Sequence, residues 1–220
     1  KRLYNFQTLP KTAILTVFPV KRKIFPSFSG RKLIKGLKGK NFLINDNKIV
    51  LCTECGYGAP YLINLCEELR ALGVTNFIFI GLAGAISGLH KEGDLLYVNK
   101  SFSGVGSSYY YEKEEVIKPN MSDWSNMILK GLEVKSVTCW STDAPFRELP
   151  SLKEYYLNKG AEVVEMECAA MYAFANHYKL NACNFIIVSD RITDEWSLPE
   201  DYNSLVEKER ETVRQILSLL

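Results

Sequence analysis

A chain of 220 residues with 47% hydrophobic and 24% charged residues has the composition of a folded globular protein, and this excludes intrinsic disorder. A formal net charge of +2 is too even for a nucleic-acid binder, which carries a more basic balance or stripe, and the lysines and arginines between 21 and 40 read as a solvated surface. No apolar run approaches the ~20 residues needed to cross a bilayer, so no membrane partner is expected. The six cysteines, at 52, 55, 66, 139, 168 and 183, stand mostly in apolar contexts, as small hydrophobes do in a reducing compartment. A cytoplasmic location follows as an expectation. Only two histidines exist, His90 and His177, and Cys52-x-x-Cys55 has no second ligand pair at zinc spacing. That pair reads as structural thiols, and no metal is expected.

In chain order, TAILTVF (12–18) is a β-rich run ended by Pro19. Residues 41–54 read as a hairpin that turns at Asn45, Asp46 and Asn47. Residues 59–73 carry apolar side chains at helical spacing and stop at Gly73. NFIFIG (76–81) is continuously apolar, which fits a strand covered on both faces. Further strands are read at 94–102 and 134–142, separated by a long polar loop, 103–120, of the kind that often carries function. Val163 and Val164 lead as a short strand into a helix of small and apolar residues that runs to Tyr178. NFIIVSD (184–190) is another strand, and 203–220 is a closing amphipathic helix. The alternation predicts one α/β domain over 1–220 with a largely buried sheet.

Ligands of open α/β sheets bind at the carboxyl ends of strands. Four unusual segments fall at such ends: CGYGAP after residue 54, GLAGAISG from Gly81 to Gly88, EMEC from Glu165, and SDRITDEW from Ser189. Together they predict a single crevice. Gly56 and Gly58 serve a ligand or simply a tight strand-to-helix turn; as a dinucleotide fingerprint the segment fails, because Tyr61 stands where the third glycine belongs. Glu165 and Glu167 have the period-2 spacing that turns two strand residues to the same side. A carboxylate accepting two hydroxyl hydrogen bonds suits a vicinal diol such as that of ribose, while Glu165 also reads as a structural pair. Asp190 ends an apolar strand, where burial would raise its pKa and suit it to general-acid work; the plainer reading is a cap for the next segment.

GLAGAISGLHKEGDLLYV, VVEMECAAMYAFA and FIIVSD, in that order, resemble the nucleoside phosphorylase/uridine phosphorylase superfamily. STDAPFRE and GVGSSYYY are similar to segments of its uridine-phosphorylase-like branch. The resemblance implies a three-layer α/β/α sandwich with a central mixed sheet and a homo-oligomer, dimer or hexamer. It implies a pentosyltransferase of nucleoside salvage that cleaves the N-glycosidic bond, with phosphate as co-substrate and no other cofactor. Carried over, Glu167 holds the ribose hydroxyls, Met166 packs on the sugar, and Glu165 sits near base or sugar. Phe146, with Pro145, lies against the base, and Asp190 matches the acid that protonates a purine leaving group; Arg147 and Arg191 are nearby candidates for base or phosphate contact and read equally well as surface ion pairs. Gly81, Gly84, Lys21 and Arg22 are the candidates for phosphate. The chain departs from the pattern at Phe79, where the family's phosphorylases carry arginine, and at Leu82, where they carry a hydroxyl. TAILTVF lacks the acid with which the superfamily's nucleosidases activate water. Phosphorolysis, hydrolysis and nucleoside binding without catalysis therefore all stand as readings.

Overall fold

The computed structural model describes residues 8–18, 32–192, 196–197, 199 and 201–220. Eleven strands join one mixed sheet, accompanied by five α-helices among the described residues, as the alternating pattern predicts. The first strand, β1 (Thr12–Thr16), stops short of the predicted run. Val17 and Phe18 give their N–H groups to the Glu209 carboxylate instead of to a neighbouring strand. A three-residue edge strand, β2 (Lys32–Ile34), pairs with β3 (Lys40–Ile44), which forms the predicted hairpin with β4 (Ile49–Thr53). Asn45, Asp46 and Asn47 at its turn take φ of 49, 54 and 63°, a left-handed region that Asn and Asp tolerate better than most residues.

Strand β4 leads into α1 (Ala59–Ala71), closed by Gly73 at φ 106° as the helix-stop signal predicts. The central strand β5 (Asn76–Ala85) is buried along nearly its whole length. One edge of β5 is shared: residues 76–80 lie beside β1, and 84–85 lie beside β9 (Val163–Glu165). The other edge runs parallel to β10 (Asn181–Ile192). From β10 the sheet continues through β6 (Leu95–Gly104) and β8 (Lys135–Thr142) back to β9. Five strands thus close on themselves, which removes open edges from that half, and β1, β4, β3 and β2 extend from β5 as an open wing. Two-residue strands β7 (Val116–Ile117) and β11 (Trp196–Ser197) attach to β6 and β10.

Helix α4 (Cys168–Tyr178) is buried throughout from Cys168 to Ala175 and packs against α1 and the closed half of the sheet. Its run of alanines permits that depth. Helix α5 (Tyr202–Leu219) packs on α2 (Asp123–Leu132), which opens with a reciprocal Ser122–Ser125 cap. Helix α3 (Pro150–Asn158) does not stand out in the sequence: it buries no residue, so it shows no clear apolar stripe. The polar stretch 103–120 is not a plain loop, since it holds a 3-10 turn at Gly106–Tyr110 and β7. All six cysteines are buried free thiols, and Cys55 Sγ donates to the Cys52 carbonyl at 3.5 Å.

Candidate active site

Strands β4, β1, β5 and β10 are parallel in succession, so their carboxyl ends share one side of the sheet. A cleft of about 480 Å³ opens there, within the range of small-molecule sites. Val17 enters it after β1, Tyr57 after β4, Leu82 to Gly84 from β5, Val164 to Glu167 from the end of β9, and Ser189, Asp190 and Ile192 from β10. Pro145, Phe146 and Glu148 arrive from the 3-10 turn that follows β8. The four strand endings predicted to share a crevice do share it. The polar stretch 103–120 contributes nothing to this cleft.

Glu165 and Glu167 do not sit together on one extended strand, as their spacing suggested. Strand β9 ends at Glu165, and Glu167, at φ −135° and ψ −36°, is already the residue that precedes α4. Both side chains are nevertheless buried, at 4% exposure each. The Glu165 carboxylate is fully engaged within the protein. Its Oε2 accepts the backbone N–H groups of Glu167 and Cys168, each at 2.7 Å. Its Oε1 accepts the Ser141 hydroxyl and, at 3.4 Å, the Cys139 thiol. Burial pushes the Cys139 and Cys168 thiols up, so they face this carboxylate as neutral groups. An anion at the opening turn of α4 also meets the positive end of the helix dipole. Glu165 therefore needs no ligand to be buried; it locks the turn that carries Met166 and Glu167.

Glu167 is held more loosely. Its Oε1 accepts the Gly58 N–H at 2.5 Å, and burial together with the nearby Glu165 charge drives its pKa upward. Gly58 makes this bond from φ 92°, a conformation that strains any residue with a Cβ, and an added Cβ would lie 3.9 Å from Met166 Cε. The glycine turn after β4 thus serves the carboxylate of the cleft.

Asp190 is placed by an irregularity in β10. The register against β5 shifts between Val188 and Asp190, which brings Asp190 opposite Gly84. A Cβ at Gly84 would stand 3.3 Å from Asp190 Oδ2 and 2.6 Å from Ile192 Cδ1, so the missing side chain leaves room for both. The Ser189 hydroxyl lies 2.6 Å from Asp190 Oδ1. Because β10 runs on to Ile192, Asp190 is not a helix cap, and it is half-buried at the cleft rather than enclosed. Beside it stands Glu148, which the sequence reading passed over. Burial and the Asp190 charge push the Glu148 carboxyl up to about 7. The signal was present in PFRE, but nothing in the spacing says which of Arg147 and Glu148 turns inward.

The remaining expected residues divide. Phe146, 94% exposed, and Pro145 stand at the cleft mouth, and Gly84 is in its wall. Gly81 and Arg191 do not line it. A Cβ at Gly81 would meet the Phe79 ring at 2.6 Å, so Gly81 makes room for that buried side chain. Arg191 is exposed and pairs with Ser197 at the sheet edge. Lys21 and Arg22 lie outside the described residues. Among the described residues the lining holds four carboxyl side chains (Glu148, Glu165, Glu167 and Asp190) and no lysine, arginine or histidine. No helix among the described residues is long and apolar enough to cross a membrane.

Fold and site thus describe an α/β protein whose strand ends gather carboxylates around one cleft. A family model described as the phosphorylase superfamily matches residues 7–220, and the chain belongs to that superfamily. It is 26% identical over 175 residues to a DeoD-type purine nucleoside phosphorylase of Jannaschia sp., covering 76% of this chain and 74% of that protein. It is 28% identical over 156 residues to an uncharacterized protein of Acanthamoeba polyphaga mimivirus; the match covers 68% of this chain and 61% of the viral protein. The structure is similar to that of a uridine phosphorylase from Vibrio fischeri, with a TM-score of 0.76, 21% identity, and coverage of 96% and 92% of the two chains. At that identity the likeness speaks for the fold.

Proposed function

We propose that the protein cleaves the N-glycosidic bond of a nucleoside. The observation that carries this reading is Glu167: a buried carboxyl with a bond from Gly58, set at the cleft beside Met166 and in the same cleft as Asp190. A buried carboxylate is costly unless its oxygens are satisfied, and the adjacent hydroxyls of a ribose would satisfy this one. Breaking the C1′–N bond develops positive charge on the sugar and negative charge on the base. Glu167 on the sugar side and an acid, Asp190, on the base side oppose those charges where they appear. Phe146 and Pro145 would cover the base from the cleft mouth.

Phosphate is the proposed co-substrate, on the strength of relatives named purine nucleoside phosphorylases. Its charge-assisted donors would then come from outside the described residues, with Lys21 and Arg22 as candidates. A second reading, hydrolysis, is favoured by one observation. The wall formed by Val17 and Leu82 is apolar, Phe79 is buried and does not line the cleft, and no described cation lines it. Assembly into a homo-oligomer, dimer or hexamer, belongs to the same proposal.

The test is release of free base from purine and pyrimidine nucleosides, with and without phosphate. Phosphate-dependent release with ribose 1-phosphate as the second product is expected. Equal release without phosphate would make the protein a nucleosidase. Intact nucleoside binding with no release in either condition would overturn the enzymatic reading.

A further inference from the structure

The cleft lies in a fork of the sheet. Along one edge of β5, pairing with β1 ends at Thr16 opposite Ile80, and pairing with β9 begins only at Gly84 opposite Val164. Residues 81–83 fall between the two ladders. Leu82, Ala83 and Gly84 line the cleft there, with Val17 on one prong and Val164 to Glu167 on the other. Had β1 kept its register, Val17 and Phe18 would run beside Gly81 and Leu82 and fill the fork. Contacts on the far side draw the chain away. Glu209 Oε1, from α5, accepts the Val17 N–H at 3.0 Å and the Phe18 N–H at 3.3 Å, and Oε2 lies 3.3 Å from the same Phe18 nitrogen. The Phe18 ring meets the Tyr202 ring of α5 edge-on at 5.6 Å. On the β4 side, the Cys55 N–H donates to the Thr16 carbonyl at 3.1 Å. Glu209 itself is buried and does not line the cleft.

We propose that Glu209 is a positioning residue that holds this fork open, acting through Val17 and Phe18. Buried backbone N–H groups must find acceptors, and Val17 and Phe18 are 8% and 5% exposed. With Glu209 present, both N–H groups are met on the α5 side. Without it, the ladder formed up to Thr16 and Ile80 offers them the continuing edge of β5. Extending that ladder carries Val17 into the space beside Leu82. Val17 and Glu167 stand on opposite prongs, so closing the fork removes the room for a ligand held by Glu167. A ligand that binds only the open fork then loses apparent affinity in proportion to the open fraction, while the complex, once formed, is the same. The loss therefore falls on KM and not on kcat. One oxygen, Oε1, reaches both N–H groups, so a glutamine carbonyl can take over its role. Aspartate keeps the charge but is one methylene too short.

The kinetic part of this proposal rests on nucleoside cleavage, so a second readout uses no ligand. All six native cysteines are buried. A thiol introduced by Leu82→Cys reports access to the fork through its rate of reaction with a maleimide. Adding Glu209→Ala should slow that labelling at least about tenfold, as the open fraction falls, and Glu209→Gln in its place should leave it near the starting rate. With Leu82 intact, base release from inosine and uridine gives the second arm. Glu209→Ala should raise KM at least about tenfold with kcat almost unchanged, and Glu209→Gln should return KM close to that of the wild type. Circular dichroism confirms the fold; if Glu209→Ala does not fold, Glu209→Asp replaces it with the same expectations. Labelling that is unchanged or faster after Glu209→Ala would overturn the open fork. A lower urea midpoint with KM unmoved would make Glu209 a purely structural residue and overturn its role in the site. If the wild type releases base from neither nucleoside, the functional reading is what fails, and the labelling rates alone decide for or against the fork.

Discussion

Glu165 Oε2 accepts the backbone N–H of Glu167 at 2.7 Å, and the two acids that look equivalent in sequence do different work. The first is saturated by protein donors and fastens the turn at the start of α4. The second is left with its carboxyl at the cleft. Substitutions at the two positions should therefore fail in different ways, one through the fold and the other through the ligand.

At Glu167 the expected loss is in sugar recognition. Glu167→Gln should weaken nucleoside binding by roughly 10- to 100-fold, the range of a lost charged hydrogen bond, and should leave free-base binding almost unchanged. Calorimetric titration with a nucleoside and its base checks this. Equal losses for both ligands would remove the sugar clamp from the mechanism.

At the Glu165 network the expected loss is in stability. Ser141→Ala deprives Glu165 of the Ser141 hydroxyl and leaves the Ala169 N–H, which donates to Ser141 Oγ at 2.9 Å, without its acceptor. Stranding buried polar groups costs about 1–3 kcal/mol. Urea unfolding should show a loss of that size, with nucleoside affinity falling as well because the turn carrying Glu167 loosens. An unchanged midpoint would mean the network does not hold the turn.

Asp190→Asn should reduce the rate on purine nucleosides by at least ~10²-fold, the lower end of what a lost general acid costs. Substrate affinity should change little. Steady-state kinetics with a purine nucleoside decide this, and an unaltered kcat would return Asp190 to a structural role.

Stability should fall as pH rises, because desolvation of buried acids outweighs the charges that favour their ionised forms. Burial lifts the Glu209 carboxyl from 4.5 to about 8, so the native state keeps a proton that the unfolded chain has released across that interval. The unfolded chain then binds fewer protons, and stability drops between those pH values by up to ~1.4 kcal/mol per pH unit for such a group. Glu167 and Glu148 are raised too and add in the same direction. Glu209→Gln keeps an acceptor for the Val17 and Phe18 N–H groups and removes the ionisation. It should be more stable than the wild type at pH 8 and closer to it at pH 5, as read from urea midpoints. A slope identical to that of the wild type would count against a buried, protonated Glu209.

The sequence by itself determined the α/β class, the hairpin turning at Asn45–Asn47, the helix stop at Gly73, the buried strands β5 and β10, and the four strand endings that meet at the cleft. These are local signals: period-2 or continuous apolar runs, turn residues, and glycines at positive φ all act within a few residues of themselves. Helix α3 left no such mark because it buries nothing. Only the tertiary structure decided what each polar residue meets. It gave Glu165 to the donors of α4 and Ser141, and it turned Gly81 toward Phe79 while leaving Gly84 to Asp190. It ended β1 at Thr16 through a carboxylate almost two hundred positions away, Glu209, and it drew Glu148 to the side of Asp190. Those pairings join strands far apart in the chain, and hydrogen bonding and desolvation depend on the neighbour in space, which spacing along the sequence does not specify.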